Sequence, residues 1–354
     1  MTWDALVIGA GPAGSVTARE LARRGRRVLL VDRATFPRSK VCGCCLNGAA
    51  IQTLERLGLG RVLEGALPLD RLKWAAGSWT ATLGLPRGVA LSREVLDARL
   101  LEAAIGCGVE FRPATLVHRD SELPAQARVN IVASGLTGGE MTAERGSRIG
   151  AGVVLPASDA PGFFHSRAIH MATGRGGYVG LVRVEDDRLD VAAAFDSAFV
   201  KTAGGPGPAA ESILRGVGWP VPPGLAEGPW KGTPTLTRRP VSLANRGVFV
   251  VGDAAGYVEP FTGEGMAWAV MSAAALAPIA ARAIERWDDS LARDWEIVHR
   301  RLIGRRQRTC RSIARVLRSP FLTGLGVRLL GLVPALAHPV ISALNRPAPH
   351  GLPA

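Results

Sequence analysis

The spacing of apolar and polar residues predicts a strand, a helix and a second strand at the start of the chain. Residues 5–11, ALVIGAG, form an apolar run that ends in glycine, as a buried parallel strand does. Residues 13–25 have the apolar spacing of a helix that Gly25 ends, and residues 26–33, RRVLLVDR, predict the next strand. Two parallel strands joined by a helix form a βαβ unit.

Later segments of the chain repeat this alternation of apolar strands and helices. Residues 91–108 predict a helix whose leucines share one face, and residues 128–135 and 247–256 are apolar runs typical of buried strands. A long helical segment is predicted from about Gly265 to Trp287, with further helix to about Ser319. This alternation indicates an α/β fold.

The middle of the chain has a different pattern. Residues 163–195 contain short alternating runs, GGYVGLVRV and RLDVAAAF, which predict an antiparallel sheet. Residues 203–234 are rich in glycine and proline and predict a long loop around one or two helical turns. A chain of 354 residues, 47% of them hydrophobic, is long enough for two domains and a large buried core.

The net charge of +13 is concentrated at the carboxyl end. No acidic residue follows Glu296, and ten arginines lie between it and the end of the chain. Such a basic region predicts contact with an anionic surface, either a membrane or a nucleic acid.

The five cysteines and the strand-like start of the chain indicate the cellular compartment of the protein. An apolar strand beginning at about residue 4 leaves no room for a signal peptide before the fold, and three of the five cysteines crowd into residues 42–45. This pattern predicts free thiols in the reducing cytoplasm.

The first chemical motif is a glycine-rich turn between the first strand and its helix. Gly9, Gly11 and Gly14 form G-x-G-x-x-G, in which the first glycine allows a tight turn and the second lets backbone approach a pyrophosphate. The third lets the helix pack close to the strand. Asp32 ends the second strand, where a carboxylate binds adenosine ribose hydroxyls. The motif predicts a dinucleotide, either NAD or FAD.

A second motif lies at residues 250–270, VVGDAAGYVEPFTGEGMAWAV. Asp253 follows an apolar strand, where its carboxylate can reach sugar-like hydroxyls. Pro260 and Gly263 then form a loop that enters a helix at Gly265 and Met266. Free backbone N–H groups at that helix start, together with the helix dipole, suit an anionic group such as the pyrimidine edge of a reduced flavin.

The two motifs and an arginine-containing helix near residue 93 together resemble the FAD-dependent oxidoreductases of the p-hydroxybenzoate hydroxylase superfamily. Within that superfamily, residues 32–43, DRATFPRSKVCG, are similar to the geranylgeranyl reductase family. The resemblance covers most of residues 1–300 and implies bound FAD.

The resemblance also assigns roles to residues of this chain. It places Ala13 and Gly14 against the pyrophosphate and Asp32 and Arg33 at the adenosine. The remaining implied contacts to FAD come from Arg93 at the phosphate or ribitol, Val117 at the adenine, Asp253 at the ribitol, Gly265 and Met266 at the isoalloxazine, and Cys42 with Gly43 beside the flavin ring. Arg93 has an alternative interpretation as a solvated charge at a helix start.

The cysteine cluster KVCGCCLN is interpreted as a loop over the flavin rather than a metal site. A zinc site needs about four ligands at ordered spacing, which C-x-C-C does not supply. Cys44 and Cys45 are interpreted as small, partly buried fillers of the loop. A flavin–thiol redox pair stays an alternative, and Cys42 is a candidate proton donor to substrate.

The resemblance implies three chemistries: reduction of isoprenoid double bonds, oxygen-dependent aromatic hydroxylation, and halogenation. The chain lacks the W-x-W-x-I-P motif of halogenases, which argues against halogenation. Ser134 stands where aromatic hydroxylases have Asp, and only Tyr178 remains of the reductases' aromatic Y-x-W-x-F-P run.

We therefore expect an FAD-dependent oxidoreductase that reduces a hydrophobic small molecule, an isoprenoid or polyketide-like lipid. NAD(P)H or another donor would reduce the flavin, and NAD(P)H would bind transiently because the chain has no second G-x-G-x-x-G. An aromatic monooxygenase is the alternative. An RNA-binding flavoprotein is a third interpretation, but the basic tail has no Trp or Tyr for base stacking, so no nucleic-acid partner is expected.

The basic tail divides into two segments. Residues 300–318 predict an amphipathic helix with apolar residues on one face and Arg301, Arg305, Arg308 and Arg315 on the other. Arg306 is the exception, because it does not fall on the polar face. Residues 319–345 are apolar, but three prolines interrupt them, so they predict a membrane-interface segment or a cap over the substrate channel.

The predicted fold class is α/β, with a Rossmann-like FAD-binding domain interleaved with an antiparallel-sheet substrate domain and followed by a C-terminal helical segment. The predicted domains are an FAD-binding domain of residues 1–70, 91–155 and 235–290, a substrate domain of residues 71–90 and 156–234, and a basic amphipathic region of residues 291–354.

Overall fold

The computed structural model describes residues 2–41, 43–117, 125–138, 140–259 and 261–346. The strands are β1 (Trp3–Ile8), β2 (Val28–Val31), β3 (Cys45–Asn47), β4 (Leu67–Ala76), β5 (Trp79–Ala90), β6 (Glu110–Arg112), β7 (Ala127–Val132), β8 (Met141–Ala143), β9 (Ile149–Leu155), β10 (Ala168–Gly174), β11 (Gly177–Arg183), β12 (Leu189–Phe195), β13 (Lys231–Thr235), β14 (Arg238–Pro240), β15 (Ala244–Asn245) and β16 (Val248–Val250). The α-helices are α1 (Pro12–Ala22), α2 (Gly48–Arg56), α3 (Arg93–Ile105), α4 (Ser197–Ala203), α5 (Pro206–Gly216), α6 (Gly265–Glu285), α7 (Asp289–His299), α8 (Arg305–Val316), α9 (Pro320–Leu332) and α10 (His338–Asn345).

The first sheet has the strand order β15-β16-β7-β1-β2-β6. Its strands are parallel except β15, which pairs antiparallel with β16 at the edge. β1 lies in the middle, and its Val7 is level with Leu30 on β2 and Ile131 on β7. These three side chains are fully buried, because helices cover a parallel sheet on its faces.

Helix α1 connects β1 to β2 and packs against α3 and α6. Nearly every α1 residue is buried, since the helix lies between the sheet and these two helices. Gly25 closes the turn after α1 with a φ of +75°, as the sequence predicts. The core on this side of the sheet also includes Phe249, Ile279 and Trp295.

The second sheet has the strand order β13-β9-β12-β11-β10-β4-β5-β3. Neighbouring strands are antiparallel except β4 and β10, which run parallel. β10, β11 and β12 confirm the antiparallel strands predicted within residues 163–195. A third, two-stranded sheet pairs β8 with β14.

Two segments differ from their sequence predictions. Residues 203–234 were expected to be mainly loop, but they contain α5, an 11-residue helix with its buried face against β10 and β11. Pro206 and Pro208 lie in the first turn of α5, where a missing N–H costs nothing. The strand predicted for residues 247–256 is only Val248–Val250, because Gly252 has a φ of +67° and begins a 3₁₀ turn.

The α/β class is confirmed, and the division into domains stays a prediction. The first sheet takes its strands from the segments assigned to FAD binding, but β9 (Ile149–Leu155) joins the second sheet although residues 91–155 were assigned to the first domain. A strand joins the sheet that pairs its backbone groups, and β9 pairs with β12 and β13.

The amphipathic helix predicted at residues 300–318 is present as a π-helical turn, Arg300–Gly304, followed by α8. The four arginines assigned to its polar face are exposed, and Leu302, Ile303, Cys310 and Leu317 are buried. Arg306 departs from the pattern because its guanidinium pairs with the buried Glu264 at 2.7 Å.

Within the described residues, α6 is long and apolar enough to cross a membrane, but 78% of its apolar window is buried inside the fold. Helix α9 and the segment that contains α10 pass the same test only as a pair, and they are bent by 118° at the break between them. By length and composition alone these features are weak indications of a membrane span.

Candidate functional site

The glycine-rich turn after β1 brings backbone segments closer together than side chains allow. Gly9 has a φ of +106°, and an added Cβ would lie 2.5 Å from the carbonyl oxygen of Ala133, the residue that follows β7. A Cβ on Gly14 would lie 1.8 Å from the carbonyl oxygen of Gly9. These contacts bear out the tight turn and the close helix packing for which the motif selects glycine.

The N-terminus of α1 faces two guanidinium groups. Gly11 is the N-cap residue and Pro12 occupies the first helical turn, so free N–H groups of α1 point out of the turn. A Cβ on Gly11 would lie 3.7 Å from Arg38 Nη2 and 3.9 Å from Arg93 Nη2. Helix N–H groups and two arginines around a side-chain-free turn suit a pyrophosphate.

Asp32 holds the glycine-rich turn from the end of β2. Its Oδ2 accepts a hydrogen bond from the Ala10 N–H at 2.8 Å, and its Oδ1 accepts from the Ala34 N–H at 2.9 Å. Arg38 lies 3.6 Å from the same carboxylate. A carboxylate oxygen has more than one lone pair, so these bonds leave room for the predicted ribose hydroxyl.

Arg93 is buried, which excludes its interpretation as a solvated surface charge. Its Nε and Nη2 donate to the two carboxylate oxygens of Asp97 at 2.7 and 2.8 Å. Arg38 Nη2 lies 3.5 Å from Asp97 Oδ2, the oxygen that Arg93 Nη2 also contacts. Because Asp97 is fully buried, the two arginines neutralise it and are held in position beside the turn.

A cavity of about 780 Å³ runs from this turn into the interior of the molecule. The predicted cofactor residues that line it are Gly11, Ala13, Arg33, Gly43, Arg93, Asp253, Gly265 and Met266. Residues far apart in sequence, from α1 to α6, therefore meet in one cavity. Their individual contacts to FAD stay predictions.

Other predicted residues lie elsewhere. Gly9, Gly14 and Asp32 support the turn from behind rather than lining the cavity. Val117, for which the resemblance implies a contact to the adenine, lies in the loop beyond β6 and packs against the cluster of Leu6, Leu29 and Val31. It does not line the cavity, because those residues hold it against the sheet. Cys42 and Pro260 lie outside the described residues.

Lys40 and Asp253 both line the same cavity. The Lys40 side chain is open to the cavity space, but the surrounding protein and the Arg93 guanidinium lower the pKa of its amine. Burial raises the pKa of Asp253, and the charges of Lys40 and Arg93 oppose that rise. Opposite charges of this kind can hold hydroxyl and phosphate oxygens.

The start of α6 is fixed by a buried network. The indole N–H of Trp268 donates to Glu264 at 3.2 Å, and Arg306 on α8 pairs with the same carboxylate. Cys310 lies 3.1 Å from the Thr262 hydroxyl, and burial raises the pKa of its thiol to about 12. These contacts anchor α8 against the loop that leads to Gly265.

Aromatic side chains from both halves of the chain surround the inner part of the cavity. The Phe261 ring lies 5.0 Å from that of Trp74 and 5.2 Å from that of Tyr178. The Trp74 indole N–H donates to the Thr173 hydroxyl at 3.2 Å. The Tyr178 hydroxyl is buried and has no hydrogen-bond partner among the described residues.

The cysteine loop contributes Gly43 and Cys45 to the cavity wall. Cys44 points away from it into the interior, where its thiol donates to the Asp190 carboxylate. Burial raises the pKa of Asp190 to about 7, against the effect of that hydrogen bond. Among the described residues no group of three or more His, Cys, Asp or Glu could hold a metal ion.

The C-terminal helices complete the cavity wall. Ile313 of α8, Leu330 of α9 and Ile341 and Leu344 of α10 all line it. Arg306 also donates to the Leu344 carbonyl at 2.6 Å, and Asn345 accepts from the Gly48 N–H at 2.9 Å. Residues of the apolar segment 319–345 therefore form part of the cavity wall, and the membrane-interface interpretation stays a prediction.

Sequence reasoning did not identify several of these residues. Arg38, Lys40 and Asp97 join the site, and only the Arg93–Asp97 spacing of four on a helix could have indicated a pair. Trp74 and Phe261 lie 187 positions apart and carry no local signal of their contact.

Comparison with known proteins agrees with this geometry. Residues 2–118 match the FAD binding domain family. Menaquinone reductase from Mycobacterium tuberculosis is 38% identical over 127 residues, which cover 33% of this chain and 31% of that protein. Digeranylgeranylglycerophospholipid reductase 1 from Methanopyrus kandleri is 28% identical over 82% of this chain and 83% of its own length.

A solved structure extends the likeness to the whole fold. A flavin-dependent brominase superposes with a TM-score of 0.78 at 18% identity, covering 98% of this chain and 94% of that one. The alignments to the first curated relatives span about a third of those proteins. Residues 2–118 thus match an FAD binding domain, and most of the chain is similar to a digeranylgeranylglycerophospholipid reductase.

Proposed function

We propose that the protein is an FAD-dependent oxidoreductase that reduces a hydrophobic small molecule, an isoprenoid or polyketide-like lipid. NAD(P)H or another donor would supply the electrons. The observation that carries the proposal is the continuity of the cavity: the wall beside Gly265 and Met266 continues into a chamber lined by Leu72, Met171 and Leu236. An apolar substrate placed there would lie next to the flavin position.

Bound FAD supplies hydride transfer between donor and substrate. The chain's own residues hold the substrate and exclude water from it. The rings of Trp74 and Phe261 offer flat apolar surfaces on which an unsaturated or ring-containing substrate would pack. Burying apolar substrate surface stabilises the complex by about 25 cal/mol for each Å² removed from water.

Tyr178 is the candidate for orienting the substrate. Its hydroxyl has no partner among the described residues, and an unpaired buried hydroxyl costs about 1–3 kcal/mol. Burial raises the pKa of Tyr178 well above its usual value, so the group stays protonated and can donate to a substrate oxygen. Because the hydroxyl has no accessible surface in the unliganded fold, the side chain must shift toward the cavity before a bound carbonyl or quinone oxygen can accept its hydrogen bond and be polarised by it.

The test is anaerobic turnover of the flavin-loaded protein with NAD(P)H and a panel of lipophilic quinones and polyprenyl compounds. Tyr178→Phe is expected to lower kcat for oxygen-bearing acceptors by roughly tenfold, the value of one lost hydrogen bond. Flavin reduction by NAD(P)H provides the internal control and should not change. If no acceptor reoxidises the flavin faster than buffer alone, the proposed reduction is wrong.

An aromatic monooxygenase is the second candidate, and the three clustered rings of Trp74, Tyr178 and Phe261 favour it because they suit a planar aromatic substrate. Mixing the reduced protein with oxygen and an aromatic substrate distinguishes the two functions. A hydroxylated product, with an oxygen-dependent transient in the flavin absorbance, would support the monooxygenase. Reoxidation coupled to a reduced acceptor without oxygen would support the reductase.

We also propose a cytoplasmic location. The four cysteines within the described residues, Cys44, Cys45, Cys107 and Cys310, are free thiols, which suits a reducing compartment. Fractionation of cells that express the tagged protein tests this, and recovery from the periplasm or medium would contradict it.

A further inference from the structure

The C-terminal helices expose an unusual amount of apolar surface. Within the described residues, sixteen large hydrophobic side chains are exposed, and nine of them lie between positions 316 and 340. These nine, the C-terminal apolar face, are Val316, Phe321, Leu322, Leu325, Leu329, Leu332, Val333, Leu336 and Val340. Phe321 and Leu332 are 77% and 71% exposed. Exposed apolar residues gathered in one region mark an interaction site.

The shape of this region suits binding at a membrane surface better than crossing the membrane. α9 has 13 residues and α10 has 8, so they are about 20 Å and 12 Å long, and each is too short to cross a bilayer. The 118° bend between the two helical segments keeps them from forming one continuous span. Short helices with an exposed apolar face can lie in the membrane interface.

The charge around the face is positive. No acidic residue follows Glu296, and Arg315 lies next to the exposed Val316. Arg328 is exposed on α9, where its guanidinium lies 4.6 Å from the ring of the half-exposed Trp79. Arginine and tryptophan beside apolar residues suit the headgroup region of an anionic membrane.

The C-terminal apolar face adjoins the flavin-side cavity. Val316, Leu336 and Val340 are exposed to solvent and also line the 780 Å³ cavity. The three residues therefore join the exposed apolar surface to the interior chamber. A hydrophobic molecule could pass between them without crossing water.

We propose that the C-terminal apolar face docks on an anionic phospholipid bilayer, and that a lipophilic substrate enters the cavity from the bilayer past Val316, Leu336 and Val340. The docking does not depend on the reaction, whereas the entry route rests on the proposed function. A second copy of this chain covering the same face is the competing explanation.

The experiment is flotation of the full-length, flavin-loaded protein with vesicles of phosphatidylcholine, with and without phosphatidylglycerol. The double variant Phe321→Glu with Leu332→Glu should bind about tenfold less to the anionic vesicles, because two anions replace apolar groups at the interface. Val241→Glu is the matched control, since Val241 is 66% exposed and is not one of the nine residues of the face. Salt should weaken binding of the wild-type protein.

Flavin absorbance and melting temperature verify that the variants fold, and Leu332→Ser offers a milder change with the same expected direction. Equal binding by the double variant and the wild type would overturn the proposal. So would a wild-type dimer that the double variant dissociates, because a second copy would then cover the face.

Turnover measured with a detergent-dispersed acceptor separates this proposal from the proposed function. If the double variant loses vesicle binding but turns over the detergent-dispersed acceptor at the wild-type rate, the result supports the docking face. Vesicle binding without turnover of any acceptor leaves the docking in place and removes the proposed reduction and the entry route with it.

Discussion

Replacing Gly14 by alanine tests the packing that positions the FAD site. The added Cβ would lie 1.8 Å from the Gly9 carbonyl oxygen and 3.2 Å from the Ala133 Cβ. Real Cβ contacts are essentially never closer than 3.0 Å, so α1 must move away from β1 by about 1.2 Å. Such overpacking costs about 1–3 kcal/mol. The same movement displaces the α1 N-terminus from its place between Arg38 and Arg93.

We expect Gly14→Ala to raise the Kd for FAD by at least about tenfold, since about 1.4 kcal/mol corresponds to a factor of ten. The melting temperature should fall by about 1–4 °C, because the unfolding entropy of a chain of 354 residues is large. Titration of the flavin-free protein with FAD, followed by fluorescence, measures the Kd. Thermal denaturation measures the melting temperature.

Gly216→Ala is the matched control for this change. Gly216 ends α5, and a Cβ there would meet no atom within 4 Å, so alanine should be neutral or slightly stabilising. Unchanged FAD affinity and melting temperature in Gly14→Ala would refute the inference that the close helix–strand approach places the helix N-terminus for the cofactor.

Two further predictions concern buried charge. Arg93→Gln removes one partner of the fully buried Asp97, and it should destabilise the protein by about 3–5 kcal/mol and weaken FAD binding, whereas Arg112→Gln breaks an exposed pair and should cost less than about 1 kcal/mol. Chemical denaturation compares the two variants, and equal effects would contradict the buried role of Arg93. For Asp190, burial raises the pKa from 3.8 to about 7, so the folded protein keeps this proton where the unfolded chain loses it. The contribution of this carboxyl group to the free energy of unfolding is complete below pH 3.8, falls as the pH rises, and is constant above pH 7. Between pH 5 and pH 8 the free energy of unfolding falls by about 3 kcal/mol for this reason. Asp190→Asn should remove that decline, as unfolding free energies at the two pH values would show, and an unaltered pH dependence would contradict the assignment.

One arginine of the C-terminal amphipathic helix does not follow the helix's polar face, because it contacts the loop on the flavin side of the cavity. Arg306 breaks the otherwise regular polar face of its helix because it pairs with Glu264 at the start of α6. Glu264 is fully buried, so without this guanidinium its charge would have no compensation. A residue that contradicts a helical pattern can therefore indicate a tertiary ion pair.

The sequence by itself determined the local elements and the identity of the cofactor class. The helix start at Pro12, the turn at Gly9 and the strand before Asp32 depend on glycine, proline and apolar periodicity, all of which act over a few residues. The second motif, at Gly265, added the specificity for FAD through its resemblance to known flavoproteins.

Only the tertiary structure decided what surrounds the site. Two contacts join segments that are distant in sequence: Trp74 with Phe261, and Cys44 with Asp190. The pairing of Arg93 with Asp97 depends on burial, which no local pattern encodes. The same holds for the tail, whose apolar residues were consistent with either a cap or a membrane segment. Both sides of α9 and α10 are apolar, so the sequence pattern could not separate the residues that line the cavity from those that face outward.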